Sequence, residues 1–378
     1  MKKMLSFLTL AAILTGAMSC NKNAVTPEVK QPEGLMNGSL TITIGMDDEA
    51  TKAALSEMKD YQINQVQVFV FDANNRLETD RFVDGLSEDT SYSLTINTKT
   101  GEKTVYALVN QPRKNFTPGS AGKTLTDFEA ELSDLSENNN TNLAMSGKNT
   151  ISVTDVKNNG TIGAPQTMNI YVKRLAARVQ LDAVKVDFRD NSLKDASFTV
   201  QEIYLKNVVG KSPIGVQGLT GTAKAAVLPS VLPDEQHAAT ANWYNKMTKE
   251  AGSPLCIDDV YSQNCTVAGA ATAQNRVLYA YPNKTVGDSN AATFSQRHTR
   301  LVIKAHVTKT AVNVDKDTYY VLDLPVLVAN TVYEIQNVNI TMLGKDNDDN
   351  DDDIDVGKIT PTITVDPWTD TVHLNYEF

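Results

Sequence analysis

The side chains most able to catalyse a reaction or bind a metal are sparse in this sequence and lack the spacing that either task needs. The histidines show no metal-ligand spacing among themselves; they are His237, His298, His306 and His373. Neither a glycine-rich phosphate loop nor a nucleophile elbow occurs. The sequence therefore predicts a protein that is not an enzyme and has no metal centre and no cofactor.

One acidic segment has the composition of a calcium loop without its full pattern. From Asp346 to Asp353, carboxylate and amide oxygens recur at alternate positions, but glycine is missing at the sixth position and glutamate at the twelfth. We favour a solvated acidic loop over 346–355, and weak calcium binding stays open as the alternative.

Two of the cysteines are close together in the chain. Cys256 and Cys265 lie in a segment that we expect to be exported, where a local disulfide is plausible. Two unpaired buried thiols fit the sequence equally well, because pairing depends on a geometry that sequence does not provide.

The remaining cysteine follows a targeting segment over residues 1–20. Lys2 and Lys3 precede an apolar stretch, Leu5–Leu14, which is too short to span a bilayer. The small residues before Cys20 resemble a lipobox, in which the cysteine is diacylated and becomes the mature N-terminus. An ordinary signal peptide with a chance cysteine is the alternative. Residues 21–37 carry Pro, Glu and Lys without an apolar pattern, which indicates an extended tether.

Two short segments near the chain ends have the same alternating pattern. The first, Ser39–Met46, places four apolar residues on one face: Leu40, Ile42, Ile44 and Met46. The second, Thr371–Phe378, does the same with Val372, Leu374, Tyr376 and Phe378. Since side chains alternate along a strand, each segment predicts a half-buried strand able to fill the same kind of groove.

A basic residue follows the first of these strands in a polar segment. Lys52, with Ala53 after it, lies where no strand pattern occurs until Gln65, and proteases cut such exposed segments. A removable strand together with a spare strand predicts polymerisation by strand addition. The alternatives are an ordinary loop lysine at Lys52 and a permanent edge strand at the C-terminus.

Length and composition predict two β domains. The 378 residues suggest two domains at about 150 residues each, and frequent Thr, Val, Asn and Ile between turn residues favour strands. We place the domains at 38–172 and 173–378, with one clear short helix at a capping-box pattern beginning at Thr126. The net charge of −10 argues against nucleic acid as a partner.

A series of motifs, in order along nearly the whole chain, resembles fimbrillins, the protease-assembled pilins of Bacteroides-type bacteria. Besides the lipobox and the first strand, they are Val68–Asp72, Val109–Pro112, Met145–Gly147, Lys173–Arg178, Tyr279–Asn283, Thr299–Ile303 and Ile363–Trp368. The resemblance implies a lipoprotein precursor with two transthyretin-like β-sandwich domains. It also implies that a protease of trypsin-like specificity removes the first strand, whose groove then takes a C-terminal strand of another subunit.

Carried over to this sequence, the resemblance assigns lipidation to Cys20 and the cut to Lys52–Ala53. The donor arm spans 359–378, and its apolar residues are Ile363, Val365, Val372, Leu374, Tyr376 and Phe378. The implied partners are other copies of the chain, other fimbrial subunits, the protease and, through lipid, the outer membrane. We expect a lipidated outer-membrane precursor and a mature stalk subunit in a surface fimbrium. A lipid-retaining anchor subunit and a glycan-binding surface lipoprotein are the alternatives.

Overall fold

The structure is a computed structural model. It describes residues 38–45, 61–87, 91–116, 124–138, 142–154, 157–158, 161–162, 164–215, 243–247, 262–283, 299–348, 362–364 and 370–377. Within these ranges, no helix is long and apolar enough to cross a membrane.

The first half of the chain folds into a β-sandwich. Its strands are β1 (Gly38–Gly45), β2 (Val66–Asp72), β3 (Leu77–Val83), β4 (Ser91–Thr98), β5 (Gly101–Val109), β6 (Leu132–Asp134), β7 (Met145–Val153), β8 (Lys157–Asn158), β9 (Thr161–Ile162), β10 (Gln166–Tyr171) and β11 (Lys173–Arg174). One sheet has the order β10-β1-β4 and the other β11-β7-β5-β2-β3. Apolar residues at alternate positions of both sheets enclose a continuous core between them.

The second half repeats this architecture. Its strands are β12 (Ala177–Val186), β13 (Ser197–Val209), β14 (Lys211–Pro213), β15 (Trp243–Met247), β16 (Gln263–Cys265), β17 (Thr272–Ala280), β18 (Arg300–Lys309), β19 (Val314–Asp323), β20 (Thr331–Ile340), β21 (Thr362–Thr364) and β22 (Asp370–Glu377). One sheet has the order β17-β12-β20-β22-β21, and the other β15-β13-β18-β19 with β16 also paired to β13. The predicted all-β fold with two sandwiches in tandem is confirmed.

The two sandwiches share one strand topology. In the first, β1 lies between β10, to which it is parallel, and β4, to which it is antiparallel. In the second, β12 lies in the same way between parallel β20 and antiparallel β17. The opposite sheets correspond as β7-β5-β2-β3 and β19-β18-β13-β16. Strands β21 and β22 are an addition at the outer edge of β20.

Helix is confined to short pieces among the described residues. The helix α1 (Leu125–Glu129) begins at the N-cap Thr124, whose side chain and that of Asp127 form the capping box. The predicted box starting at Thr126 was therefore misplaced by two residues. Phe128 fixes α1 on the outer face of the first sandwich, with its ring 4.6 Å from that of Phe69. The 3-10 turns are Leu135–Glu137, Asn191–Leu193 and Thr310–Val312.

The junction between the sandwiches is hydrogen bonded as well as apolar. Strand β6 of the first half pairs with β14 of the second. The buried Tyr281 hydroxyl lies 2.7 Å from Ser133 Oγ and accepts from Asn138 Nδ2 at 3.0 Å. Buried side chains form a continuous cluster across both halves. The described parts of both sandwiches belong to one compact unit, and the division at 172/173 stays a prediction.

Candidate strand-exchange site

The first strand occupies the middle of its sheet rather than an edge. Leu40 and Ile44 of β1 stand opposite Gln166 and Ile170 of β10 on one side, and Ile42 stands opposite Leu94 of β4 on the other. Taking β1 away would leave two facing strand edges with unpaired backbone groups. A gap of this kind is a template for an incoming strand.

The two faces of β1 have opposite chemistry because side chains alternate along a strand. Leu40, Ile42 and Ile44 point inward and are fully buried. On the outer face, Thr41 Oγ1 lies 3.1 Å from Thr95 Oγ1, and Thr43 Oγ1 lies 2.9 Å from Ser93 Oγ. The inner residues pack in a cluster that includes Val68, Val70, Leu94, Ile96, Val105, Ala107, Met168 and Ile170.

One end of β1, here called the closed end, has no room for a side chain. A Cβ atom built on Gly38 would lie 2.4 Å from Val153 Cγ1, 3.1 Å from Thr98 O and 3.4 Å from Lys99 O. Val153 and Thr98 are both buried. Only glycine fits this position unless its neighbours move.

The other end of β1 is hydrogen bonded to the segment that follows β10. Gly45 O accepts a hydrogen bond from Val172 N at 3.0 Å, which ties the end of β1 to the segment after β10. Met46, Lys52 and Ala53 lie outside the described residues, as does Cys20.

The predicted donor strand is paired within its own chain. β22 runs parallel to β20, with Val372 opposite Tyr333 and Leu374 opposite Ile335. The short β21 pairs with its other edge, with Ile363 opposite Val372. Val365 and Phe378 lie outside the described residues. β22 has eight residues, as β1 does, and runs parallel to β20 as β1 runs parallel to β10.

The acidic segment is exposed at Asp346 but contacts the protein at Asp348. Asp348 Oδ2 accepts a hydrogen bond from the Tyr204 hydroxyl at 2.6 Å, and Asp348 O accepts one from Lys206 Nζ at 2.6 Å. Burial and this carboxylate raise the pKa of Tyr204 well above its usual range. The predicted solvated loop over 346–355 is thus wrong at Asp348, and residues 349–355 lie outside the described part.

The other predicted sites remain separate from this one. The Cys265 thiol is buried and free, burial raises its pKa, and Cys256 lies outside the described residues, so their disulfide stays a prediction. His306 Nδ1 lies 2.8 Å from Asp317 Oδ1, whereas His237 and His298 are outside the described ranges. No group of three or more His, Cys, Asp or Glu residues that could hold a metal occurs among the described residues.

Sequence reasoning missed the features that depend on strand neighbours. These are the central place of β1, the closed end at Gly38 and the fully buried Arg174, whose backbone N and Nη1 contact Asn330 Oδ1 at 3.2 and 3.3 Å. The glycine before an alternating run was the one available signal for the closed end. Together, fold and site define a tandem β-sandwich protein whose first strand fills the middle of a sheet.

Comparison with known proteins links part of the chain to a family. Residues 38–182 match the family model described as "Major fimbrial subunit protein (FimA)", which confirms the resemblance to fimbrillins. The matched family is one of structural fimbrial subunits rather than enzymes. A search of the curated proteins found no match.

Solved structures support the tandem fold over most of the chain. A fimbrilin (fimA) from Porphyromonas gingivalis is 16% identical with a TM-score of 0.50, and the alignment covers 90% of this chain and 97% of that one. A candidate cell adhesion protein from Bacteroides eggerthii is 17% identical with a TM-score of 0.51, and the alignment covers 91% and 98%. A second candidate cell adhesion protein, from Parabacteroides distasonis, is 15% identical with a TM-score of 0.51 and coverage of 89% and 98%.

Proposed function

We propose that this chain is the stalk subunit of a surface fimbrium. It is exported as a lipoprotein on Cys20, it is activated by a cut after Lys52 that releases the first strand, and it polymerises by strand exchange. The single observation that carries this proposal is the position of β1 between β10 and β4, with both of its edges paired.

Loss of β1 would create a strong driving force for capturing a replacement strand. Leu40, Ile42 and Ile44 are fully buried, and burial of each such side chain is worth roughly 1.5–3 kcal/mol. The facing edges of β10 and β4 would also lose their backbone partners, which a new strand restores.

β22 matches the vacated space in length, orientation and pattern. When β22 is laid over β1 from the first residue, Val372, Leu374 and Tyr376 fall at the positions of Leu40, Ile42 and Ile44. β22 already pairs with β20 in the parallel sense that β1 has to β10. Donation then exchanges one parallel partner for another without reversing the strand.

The steps before assembly are proposed from the sequence. Lipid on Cys20 brings the precursor to the outer membrane, and a protease of trypsin-like specificity cuts the segment after Gly45. The released strand leaves with the lipid, and the mature subunit joins other copies of itself and other fimbrial subunits at the cell surface. Mass spectrometry of the precursor tests the lipid on Cys20.

The donor strand is tested by a matched pair of substitutions. Leu374→Asp places a carboxylate in the apolar groove and loses a buried leucine, at a cost of about 3 kcal/mol or more, which is more than about a hundredfold in affinity. Asn375→Asp introduces the same charge on the outer face and should leave assembly nearly unchanged. Fibre yield after processing, measured by electron microscopy and by gel ladders, is the readout, and thermal unfolding of both monomers is the control for folding. Normal fibres from Leu374→Asp would show that subunits join through another surface.

A further inference from the structure

We infer that residues 341–348, here called the strap, are a fixed anchor that transmits tension from the donor arm to the second sandwich. This inference rests on the proposed strand exchange, in which the arm over 359–378 joins one subunit to the next. The strap follows β20 in the chain and precedes the arm. A pull on the arm in a fibre therefore reaches the strap before it reaches β20.

The first part of the strap is paired with the edge strand β19. The Tyr320 hydroxyl donates a hydrogen bond to Met342 O at 3.1 Å. Lys345 N donates to Tyr319 O at 3.0 Å, and Tyr319 N donates to Lys345 O at 2.8 Å. A Cβ atom built on Gly344 would lie 2.3 Å from Tyr319 O. Because only glycine allows this close approach, the sequence of the strap is fitted to β19.

The last residue of the strap is held by β13, two strands further into the same sheet. Asp348 uses its carboxylate to accept from the Tyr204 hydroxyl and its backbone oxygen to accept from Lys206 Nζ, both at 2.6 Å. Lys206 Nζ also lies 3.5 Å from Asp348 Oδ1, and the lysine side chain is only 5% exposed. Hydrogen bonds of this kind, in which one partner is charged, are stronger than those between neutral groups.

Between these two attachments the strap crosses a small apolar cluster. Tyr204, Val302 and Val321 stand side by side on β13, β18 and β19, and they pack together separately from the main core. Leu301 and Ile303, on either side of Val302, belong to the main core, so the cluster lies on the opposite face of the sheet. Its three residues are nevertheless almost fully buried. Detaching the strap would expose them as well as break the hydrogen bonds.

The anchor becomes important when β22 is donated, because β20 then loses a partner. In the structure, β20 is paired with β12 on one edge and with β22 on the other. Without β22 it would be an edge strand joined directly to the loaded arm. The strap contacts named above are all with β13 and β19 of the opposite sheet, so the departure of β22 does not require any of them to break. Tension then passes to β13, which is paired on both edges, before it reaches β20.

Two aspartates of the strap provide a matched pair of substitutions. Asp348→Ala removes the carboxylate that binds Tyr204, whereas Asp346→Ala removes only a surface ion pair with Lys316, in which the aspartate is 83% exposed. Both variants should form fibres, because neither residue belongs to the donor strand or its groove. After shear under fixed conditions, we expect the median fibre length measured by electron microscopy to fall at least twofold for Asp348→Ala and to stay at the wild-type value for Asp346→Ala.

A disulfide across the strap tests whether the lost anchor is the cause. Tyr319 and Lys345 face each other in an antiparallel, hydrogen-bonded pair, for which the Cα separation of about 5.5 Å suits a disulfide. Tyr319→Cys with Lys345→Cys, in chains that also carry Cys256→Ser, is added to Asp348→Ala. The oxidised pair should restore the wild-type fibre length after shear, and the reduced pair should not.

Three results would overturn the inference. They are wild-type fibre lengths from Asp348→Ala, no restoration of length by the oxidised cysteine pair, and loss of assembly on oxidation, since the strap would then have to detach during donation. Failure of the proposed function looks different, because Leu374→Asp would then assemble normally.

Discussion

The two sandwiches have the same strand topology, but their first strands are held in different ways. In the second, β12 is preceded by β11, and its connection to the rest of the chain runs through the buried Arg174. In the first, β1 is the earliest strand described, and a polar segment with Lys52 follows it in the sequence. Both strands fill the middle of a sheet with apolar inner faces. Under the proposed function, whether such a strand can be exchanged thus depends on its place in the chain more than on its chemistry.

Strands β10 and β20, which hold equivalent places in the two sandwiches, differ as well. β20 carries β22 along its outer edge. β10 instead turns towards β7, where Asn149 Nδ2 donates to Asn169 O at 2.8 Å and Thr154 N donates to Gln166 Oε1 at 2.6 Å. Side-chain bonds of this kind protect an edge from pairing with another chain. Under the proposed function, the sandwich that loses a strand is therefore protected at its outer edge, and the other one carries the donor strand.

Blocking the cut after Lys52 should have the largest effect, because it would make the first strand as permanent as β12. Lys52→Ala should leave a folded, lipidated monomer that forms no fibres, while Lys52→Arg should assemble normally. N-terminal sequencing and electrophoresis of material from cells measure both. If Lys52→Ala forms fibres whose N-terminus is unchanged, the cleavage site is not at Lys52, and Lys59 is the next candidate.

Truncating a buried residue in β1 and in β12 should affect the stabilities of the precursor and of the fibre differently. Ile42→Ala should lower the free energy of unfolding of the precursor by about 2–5 kcal/mol and leave the fibre unchanged, because β1 has gone. Leu181→Ala in β12 should destabilise both by a similar amount, since Leu181 is also buried. Denaturant unfolding of the precursor and of the fibre checks this. A fibre weakened by Ile42→Ala would mean that β1 is retained.

A smaller effect is expected at the junction that anchors β12. Asn330 has a φ of +56°, and its Oδ1 accepts from Arg174. Asn330→Gly keeps the left-handed backbone but removes the side-chain amide. Because the buried donors of Arg174 then lose this acceptor, the free energy of unfolding should fall by about 1–3 kcal/mol. Asn313→Gly is the matched control, because Asn313 has a φ of +53° and is exposed. Equal stabilities of the two variants would show that the amide does not hold the junction.

The smallest effect concerns the stability at acid pH of the first sandwich, near its closed end. Burial would raise the pKa of Glu78, but hydrogen bonds from Lys103, the Lys99 amide and Thr98 hold it below the ordinary value of 4.5. This carboxylate therefore stabilises the fold above pH 4.5, and its contribution is lost as the pH falls through the lower folded-state pKa. Glu78→Gln should flatten this part of the stability profile measured by thermal unfolding. An unchanged profile would assign the acid sensitivity to other groups.

Features that depend on local spacing could be predicted from the sequence alone. The alternation in Ser39–Met46 and Thr371–Phe378 predicted two strands with one apolar face each, and the structure has β1 and β22 there. The short runs between turn residues predicted the all-β class. The helix start was misplaced because two threonines, Thr124 and Thr126, each precede an acidic residue by three positions, and only the backbone conformation distinguishes them.

The strands that lie side by side could be identified only from the three-dimensional structure. Nothing local in Leu40–Ile44 distinguishes a central strand from an edge strand, because the partners in β4 and β10 lie far away in sequence. In the same way, Asp348 looks like part of a solvated acidic run until its contact with Tyr204, 144 positions away, is known. The closed end at Gly38 also depends on Val153 in a distant strand. Period-two alternation is a property of one strand, whereas neighbours, register and closed ends arise from long-range pairing, which leaves no trace in local spacing.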